Sequence, residues 1–376
     1  MKKLVFFIII AMPLSVFAND GGIEIVAGSL VPVNIETVSM DYERLTFTLK
    51  KGHFDVEVHI ELNNHEGKSI EPLLAFEFAL GSLLGGTGSF NFLEKLNQFI
   101  LLVNGADQKF ELGHRGEELD QYYILLYKPT LNPGLNTVYH KFQMPYGYAS
   151  MEGIVSYILT TGSRWKNGVI GNLEIFIRTE FNTTLWFEGR VGHYYRDIVR
   201  SFDTIGQSKL YYEHSSHGGG RTVYYERYSL TPNGYLYKNL QNFVPDRNIE
   251  FQAVPWNAAW MYGRAFDNEF TTIYDWSRYI EDSNFFASFR WDAMREEGWR
   301  PSEQMLEDLS ADELRILRNT LYAMRGYVFN DPSLNDHFNR QYWYFPNPNI
   351  ALTDIALTDA EQQILQHIIA EENRRR

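Results

Sequence analysis

The sequence predicts a mainly β protein, an antiparallel β-sandwich-like fold with a small α-helical domain at the C-terminus. Two patterns predict this class. Between residues 30 and 255 the chain alternates apolar and polar residues, most clearly at residues 55–62, and such a period of two places one face of a strand in the core. Near the C-terminus the apolar spacing changes to three and four residues, which is typical of amphipathic helices.

Short segments with strand character fill the region from residue 30 to residue 255. Asn104-Gly105 is a two-residue hairpin signal, and turn residues recur at a spacing of about 8–12 residues, which favours packed antiparallel sheets over βαβ units. Because one sandwich usually takes about 100 residues, we expect two β-rich units, covering 19–150 and 151–255. Strands are expected at 44–49, 55–62, 73–79, 122–127, 137–144, 154–161, 173–181, 185–188, 208–214, 222–230 and 248–254.

The first 18 residues predict a cleaved signal peptide. Lys2 and Lys3 precede an apolar run, and residues 16–18 offer the small and β-branched side chains of a cleavage site. The run is too short for a transmembrane helix, which needs about 20 residues; the alternative is an uncleaved anchor. We therefore expect an extracytoplasmic protein, in the periplasm, on the cell surface or secreted, with no transmembrane segment in the mature chain.

Composition limits the classes of function. The net charge of −13 disfavours non-specific binding to nucleic acid or to an anionic membrane. The chain has no cysteine, which excludes disulfides, thiol catalysis and thiolate metal sites. Aromatic residues make up 15% of the chain, and they either fill a β core, which we favour, or form flat surfaces on which sugars stack.

The last part of the chain predicts a helical domain at residues 305–376, after a mixed linker with short helices at 256–304. Ser310 and Glu313 fit a capping box, in which the serine side chain accepts from a helix amide and the glutamate reaches back. Thr358 and Glu361 repeat the pattern before a second helix. The first helix has an apolar stripe, and Gly326 is suited to end it or bend it.

The face opposite that stripe carries the candidate ligand-binding residues, which are Arg315, Arg318, Asn319, Tyr322 and Arg325. Guanidinium groups on one face suit carboxylate or phosphate ligands, because their planar donors form bidentate contacts. The alternative, which the pattern favours, is internal pairing with Asp312, Asp331 or Asp336, holding the helix to the loop that follows it.

These residues resemble a known family. The run from Leu314 to Phe329, continued by Asp331-Pro332 and Trp343-Tyr344, resembles the YARHG domain of exported bacterial proteins, named for a Tyr-Ala-Arg-His-Gly signature. The Arg318-Asn319 pair of the family is present, but the signature reads Tyr-Ala-Met-Arg-Gly at residues 322–326. The resemblance covers about residues 305–370, and the β region is similar to the extracytoplasmic β domains that often precede this module.

The resemblance implies an exported location and a role at the cell envelope, and it implies no particular reaction. If the histidine of the family signature were a base, this chain would lack it, since Arg325 occupies that position and stays protonated. The departure favours binding or structure over catalysis.

Other candidate chemistry is weak in the sequence. His214 and His217 could bind a metal, but no third ligand is specified, and an exposed hairpin tip explains them. His193 has no defined partner, and an acidic pair such as Glu117-Glu118 leaves the distance between carboxylates open. We expect no metal, cofactor or catalytic residue.

The function expected is therefore that of a non-catalytic exported envelope protein that binds a cell-wall component or another envelope protein. One alternative is a cell-wall hydrolase that uses a carboxylate pair. Another is a structural assembly protein that pairs through exposed β edges.

Overall fold

The structure is a computed structural model that describes residues 25–33, 35–50, 52–80, 98–115, 121–149, 152–187, 199–217, 221–255, 306–307, 309–341 and 343–376. The predicted signal peptide and the predicted short helices of the linker at 256–304 lie outside these residues. In the described part, no helix is both long enough and apolar enough to cross a membrane.

Strands dominate the described residues up to Pro255. Their bounds are β1 Ile25–Val33, β2 Val38–Lys50, β3 His53–Asn64, β4 Leu73–Leu80, β5 Ile100–Val103, β6 Ala106–Asp107, β7 Glu111–Arg115, β8 Gln121–Tyr127, β9 Gly134–Pro145, β10 Gly147–Ala149, β11 Glu152–Ile158, β12 Ile170–Thr179, β13 Thr183–Trp186, β14 Asp203–His217, β15 Arg221–Phe243 and β16 Ile249–Pro255. Short 3-10 turns at Thr160–Arg164 and Lys166–Gly168 connect β11 to β12.

The strands form one 16-stranded sheet with the order β6-β5-β9-β3-β2-β12-β15-β13-β16-β11-β1-β4-β8-β7, with β10 beside β11 and β14 beside β15. The mainly β class is confirmed. The sheet is mixed, however, because β1 pairs with β11 and β2 pairs with β12 in parallel. The antiparallel expectation therefore needs this correction, and both parallel pairs join strands that are far apart along the chain.

The long sheet folds over on itself as a sandwich does. Strand β15 belongs to both halves, since its residues 235–243 pair with β12 and its residues 227–230 pair with β13. Rings from the two halves then meet in the core. The ring centroids of Phe47 on β2 and Tyr157 on β11 lie 5.9 Å apart, and those of Phe76 on β4 and Phe142 on β9 lie 5.2 Å apart.

Strand β3 shows how the alternation positions side chains. Val56, Val58 and Ile60 are at most 2% exposed, while the residues between them face outward. The hairpin predicted at Asn104-Gly105 is also present between β5 and β6, where the two residues have positive φ angles of 51° and 77°. Glycine suits the second position because it has no Cβ.

The pairing crosses the predicted boundary near residue 150. Strands β1 and β2 lie before it and their parallel partners β11 and β12 lie after it. One hydrophobic cluster also contains buried residues from both sides, for example Leu45 and Leu173. The division of the β region into units 19–150 and 151–255 stays a prediction, and the two portions share one hydrogen-bonded sheet.

The close backbone approach at the bulge of the β14–β15 ribbon depends on two facing glycines. Gly206 and Gly234 are register partners beside a bulge, and a Cβ on Gly234 would lie 2.4 Å from the backbone of Gln207. We expect Gly234→Ala to lower the free energy of unfolding by about 2 kcal/mol, because backbone atoms must move to admit the methyl group. Urea titration measures this change. Gly67→Ala is the matched control, because a Cβ there meets no atom within 4 Å; equal losses in both variants would contradict the prediction.

Candidate ligand-binding site

The described part of the C-terminal domain contains the helices α1 Ala311–Ala323, α2 Pro332–Asn339 and α3 Asp359–Arg374, with a 3-10 turn at Leu352–Asp354. The predicted capping box of α1 is confirmed, since the Glu313 amide donates to Ser310 Oγ over 3.2 Å and the Ser310 amide donates to Glu313 Oε2 over 2.7 Å. The predicted box at Thr358 and Glu361 is confirmed at the start of α3.

Gly326 ends the first helical segment, as predicted. Its φ angle is +82°, and a Cβ there would lie 2.7 Å from the carbonyl oxygen of Phe345. The chain therefore turns back close to its own backbone, and the Asn347 amide donates to the Gly326 carbonyl over 2.8 Å. This turn brings the segment after α1 against the outer face of α1.

The apolar stripe of α1 is buried, since Leu314, Leu317 and Leu321 are 0% exposed. Helix α3 buries Ile364 and Ile368 in the same way, and the two helices pack against each other. A separate hydrophobic cluster packs Phe329, Phe338 of α2 and Tyr344 against Ala323 at the end of α1.

The two arginines of α1 and Arg325, which follows the helix, all make ion pairs inside the domain. Arg315 pairs with Asp331, which confirms one of the internal partners that the sequence proposed. Arg318 Nη1 lies 2.6 Å from Glu372 Oε2, and Arg325 Nη2 lies 2.6 Å from Glu361 Oε2. These two acids belong to α3 and not to the loop; of the three alternative partners Asp312, Asp331 and Asp336, the structure shows Asp331.

A cavity of about 320 Å³ lies between α1, the following loop and α3. Its lining residues are Arg318, Asn319, Tyr322, Tyr327, Phe329, Asn330, Asp331, Leu352, Leu365 and Ile369. The structure thus brings three of the five predicted ligand-binding residues to one cavity. Arg315 touches its wall through Asp331, and Arg325 lies outside the lining. Ligand binding by the five residues stays a prediction.

The lining combines an apolar floor with a few polar groups. Leu365 and Ile369 of α3 and Phe329 of the loop supply apolar surface, while Arg318 and Asp331 supply one charge of each sign. Hydrogen bonds from the Ser333 hydroxyl and the Leu334 amide, with Arg315 beside them, lower the pKa of Asp331 to about 2. The aspartate is therefore ionised at neutral pH.

Apart from Asp331, which the sequence suggests as an arginine partner, the other lining residues were not identified from the sequence as part of a ligand site. Tyr327 and Phe329 follow the glycine turn, and Leu365 and Ile369 sit on a helix whose docking position depends on tertiary packing. Ile364, Leu365, Ile368 and Ile369 recur at helical spacing, which indicates a buried stripe on α3, but this spacing does not show which edge of the stripe borders a cavity.

The other candidate residues of the sequence analysis have less structural support as functional sites. His214 and His217 lie on β14, but their side chains lie outside the described residues, as do His193 and Glu117-Glu118. Within the described part of the chain, no group of three potential metal ligands comes together.

One lysine connects the sheet to the helical domain. Lys209 on β14 donates from Nζ to the carbonyl oxygens of Asn339 and Gln341, the latter over 3.0 Å. Lysine suits this place because the last carbonyls of a helix lack partners within the helix and carry partial negative charge.

The C-terminal helices lie in a segment that belongs to the YARHG class of domain. Residues 294–373 match this domain. The protein is thus a β-rich chain with a YARHG domain at its C-terminus. No curated protein matches the chain.

Solved structures give weak likenesses. A candidate nutrient-binding protein from Legionella pneumophila is 17% identical, with a TM-score of 0.47, and the match covers 93% of this chain and 98% of that chain. The leukotriene A4 hydrolase of Saccharomyces cerevisiae is 10% identical, with a TM-score of 0.23, over 55% of this chain and 30% of the hydrolase. A two-domain M1 zinc metallopeptidase is 9% identical, with a TM-score of 0.20, over 54% of this chain and 42% of the peptidase. Similarity at these scores assigns no function.

Proposed function

We propose that the protein is a non-catalytic, exported envelope protein that binds a cell-wall component through the cavity of its YARHG domain. One observation carries the proposal: Arg318, Asn319 and Tyr322, selected on their spacing along one helix face, line the same cavity of about 320 Å³. A concave site with mostly apolar walls and a few convergent polar groups is the usual form of a ligand pocket. An envelope protein is the other partner class that the cavity could accept.

The lining suits a ligand that has both a carboxylate and a short aliphatic part. Arg318 carries five N–H donors, and its bond to Glu372 within the described residues uses Nη1. The remaining N–H groups of Arg318 can donate hydrogen bonds to a carboxylate of the ligand. The side chains of Leu365, Ile369 and Phe329 can pack against an aliphatic group. The peptide portion of a cell wall offers both groups, which favours it over the sugar portion at this site.

Export rests on the N-terminal sequence and on the domain. The basic and apolar pattern of residues 1–18 is that of a signal peptide, and YARHG domains, one of which matches residues 294–373, occur in exported proteins. Both features support a place of action at the envelope.

Co-sedimentation with isolated cell-wall sacculi tests the proposal. We expect the purified protein to pellet with sacculi at low salt and to pellet less at high salt, because the contact includes a guanidinium–carboxylate pair that salt screens. Arg318→Gln is expected to reduce the pelleted fraction at least about fivefold, since glutamine retains a donor near Glu372 but loses the charge.

Arg340→Gln is the matched control. It removes the same charge from an exposed position at the end of α2, outside the cavity lining. Circular dichroism establishes that both variants fold. Equal pelleting of the two variants, or no pelleting of the wild type at either salt concentration, would contradict wall binding through this cavity.

A further inference from the structure

The sheet has an outer face that the proposed function does not use. It lies on the solvent side of β9, β3, β2, β12 and β15, which are neighbours in that order. His59 and Arg44 are exposed there, and Glu174, Phe176 and Tyr237 are half-buried. We call this surface the outer sheet face.

Two aromatic groups lie on the outer sheet face. His59 on β3 and Tyr139 on β9 are register partners with ring centroids 4.6 Å apart. On the other side, the Phe176 ring of β12 lies 4.9 Å from the ring of Tyr237 and 5.9 Å from that of Tyr235, both on β15. Four strand spacings separate β9 from β15, which is about 19 Å, since neighbouring strands lie about 4.8 Å apart.

A fixed ion pair lies between the two aromatic groups. Arg44 Nη2 is 2.8 Å from Glu174 Oε2, and the Arg44 side chain is 45% exposed. The Tyr42 and Tyr237 hydroxyls also donate to Glu174, the second over 2.8 Å. The guanidinium carbon of Arg44 lies 5.5 Å from the centre of the Phe176 ring. These contacts hold the polar groups in place before any ligand binds, so little side-chain entropy is lost on binding.

We propose that the outer sheet face binds a flat, uncharged polysaccharide, a β-1,4-linked chain of pyranose rings. Pyranose rings present C–H faces that stack on aromatic rings, and they present pairs of hydroxyls that planar carboxylate and guanidinium groups bind in a bidentate manner. A face with aromatic groups about 19 Å apart fits an extended chain of several sugars rather than one sugar.

The charge on the face selects an uncharged ligand. Arg44 is matched by Glu174, and Lys141 Nζ lies 2.7 Å from Glu57 Oε1. Arg178, whose guanidinium carbon lies 5.7 Å from the centre of the Phe176 ring, and Glu61 of β3 add one further charge of each sign. The charges on the face therefore balance, so the face attracts neither a polyanion nor a polycation over long range.

The same pairs disfavour a protein partner. The cores of protein interfaces are depleted of charged residues and are more apolar than their rims. Here the charged pair Arg44–Glu174, on β2 and β12, lies between the aromatic groups, and the pair Lys141–Glu57 lies beside His59 and Tyr139 on β9 and β3. A hydroxyl-rich polymer can form hydrogen bonds with these charged side chains. An apolar protein surface would instead remove them from water without replacing the hydrogen bonds that water had made.

Pelleting of the full-length protein with insoluble polysaccharides tests the proposal. The probes are chitin and cellulose, which have β-1,4 linkages, and granular starch, whose α-linked chains are helical. We expect binding to chitin or cellulose that is at least tenfold tighter than binding to starch. The double variant Phe176→Val/Tyr235→Val is expected to weaken that binding at least tenfold, because valine preserves strand propensity and removes the flat rings.

Thr137→Val is the matched control, at an exposed position of β9 outside both aromatic groups, and thermal unfolding checks that each variant folds. Arg318→Gln is expected to bind these polysaccharides as the wild type does, so that this proposal and the one for the YARHG cavity succeed or fail separately. Failure of the wild type to pellet with chitin and cellulose, equal binding to starch, or unchanged binding by the double variant would each overturn the proposal.

Discussion

Replacing Arg325 with methionine is expected to lower the free energy of opening of the YARHG domain by about 3 kcal/mol, because it removes one partner of a buried ion pair. Arg325 donates from Nη2 to Glu361 Oε2 over 2.6 Å and from Nη1 to the carbonyl of Leu321 over 2.7 Å. The Glu361 side chain is 2% exposed, so solvent cannot replace the lost contact. Methionine keeps the length and apolar character of the side chain.

The effect is specific to the docking of α1 and α3, because Glu361 also closes the capping box that begins α3. Hydrogen exchange of the full-length protein, followed by mass spectrometry, measures it locally. Amides of α1 and α3 are expected to lose protection about a hundredfold, since each tenfold change corresponds to about 1.4 kcal/mol.

The control is Arg340→Met, at an exposed position beyond α2, where surface substitutions usually change stability by less than about 0.5 kcal/mol. If both variants exchange alike, or if protection falls equally in the β sheet, then the ion pair does not hold α3 to α1. The YARHG signature has a histidine at this position. In this chain the arginine that replaces it forms an ion pair with Glu361 of α3.

The local features of the fold follow from the sequence because they depend on neighbouring residues. The alternation in β3, the glycine hairpin at Asn104-Gly105 and the two capping boxes are each decided within a few positions, and the structure confirms all of them. Strand order is not local. The parallel pair of β2 and β12 joins Leu45 to Ile175, and no periodicity indicates which distant strand becomes a neighbour.

In the candidate site, too, the local features could be predicted from the sequence, and the features that depend on distant residues could not. The helical spacing of Arg318 and Tyr322 predicts that they share a face, and they do line one cavity. The second wall could not be predicted, because it depends on where α3 docks. For the same reason the sequence named Asp331 as a partner of the arginines but missed Glu361 and Glu372, which reach α1 from a helix more than thirty residues later.

Acid is expected to destabilise the β sheet through a buried histidine. His140 on β9 is 0% exposed, among the rings of Phe76, Phe99 and Tyr127 at centroid distances of 5.1, 5.8 and 6.2 Å. Within the described residues the Tyr127 hydroxyl, 3.2 Å from Nε2, is the hydrogen-bond partner of the ring. Desolvation by burial disfavours the charged imidazolium and lowers the pKa of His140 from 6.5 to about 3.

The direction of the pH dependence follows from proton binding. Below pH 6.5 the unfolded chain takes up a proton at His140 that the folded protein does not, so the contribution of this residue to stability falls as pH falls. The loss is about 1.4 kcal/mol per pH unit and continues until the pH nears 3, the folded pKa. Between pH 6.5 and pH 4 it amounts to about 3 kcal/mol.

Urea titrations of the wild type and of His140→Gln, at pH 7, 6, 5 and 4, measure this loss. Glutamine can keep a hydrogen bond to the Tyr127 hydroxyl but does not titrate, so the variant is expected to be less stable at pH 7 because of altered packing. Its deficit relative to the wild type should shrink by about 3 kcal/mol at pH 4, because carboxylates titrate alike in both proteins and cancel in the difference. His367→Gln, at an exposed position of α3, controls for removal of a histidine. A deficit of His140→Gln that stays constant from pH 7 to pH 4 would mean that the folded protein binds the proton as readily as the unfolded chain, which the apolar surroundings of this ring argue against.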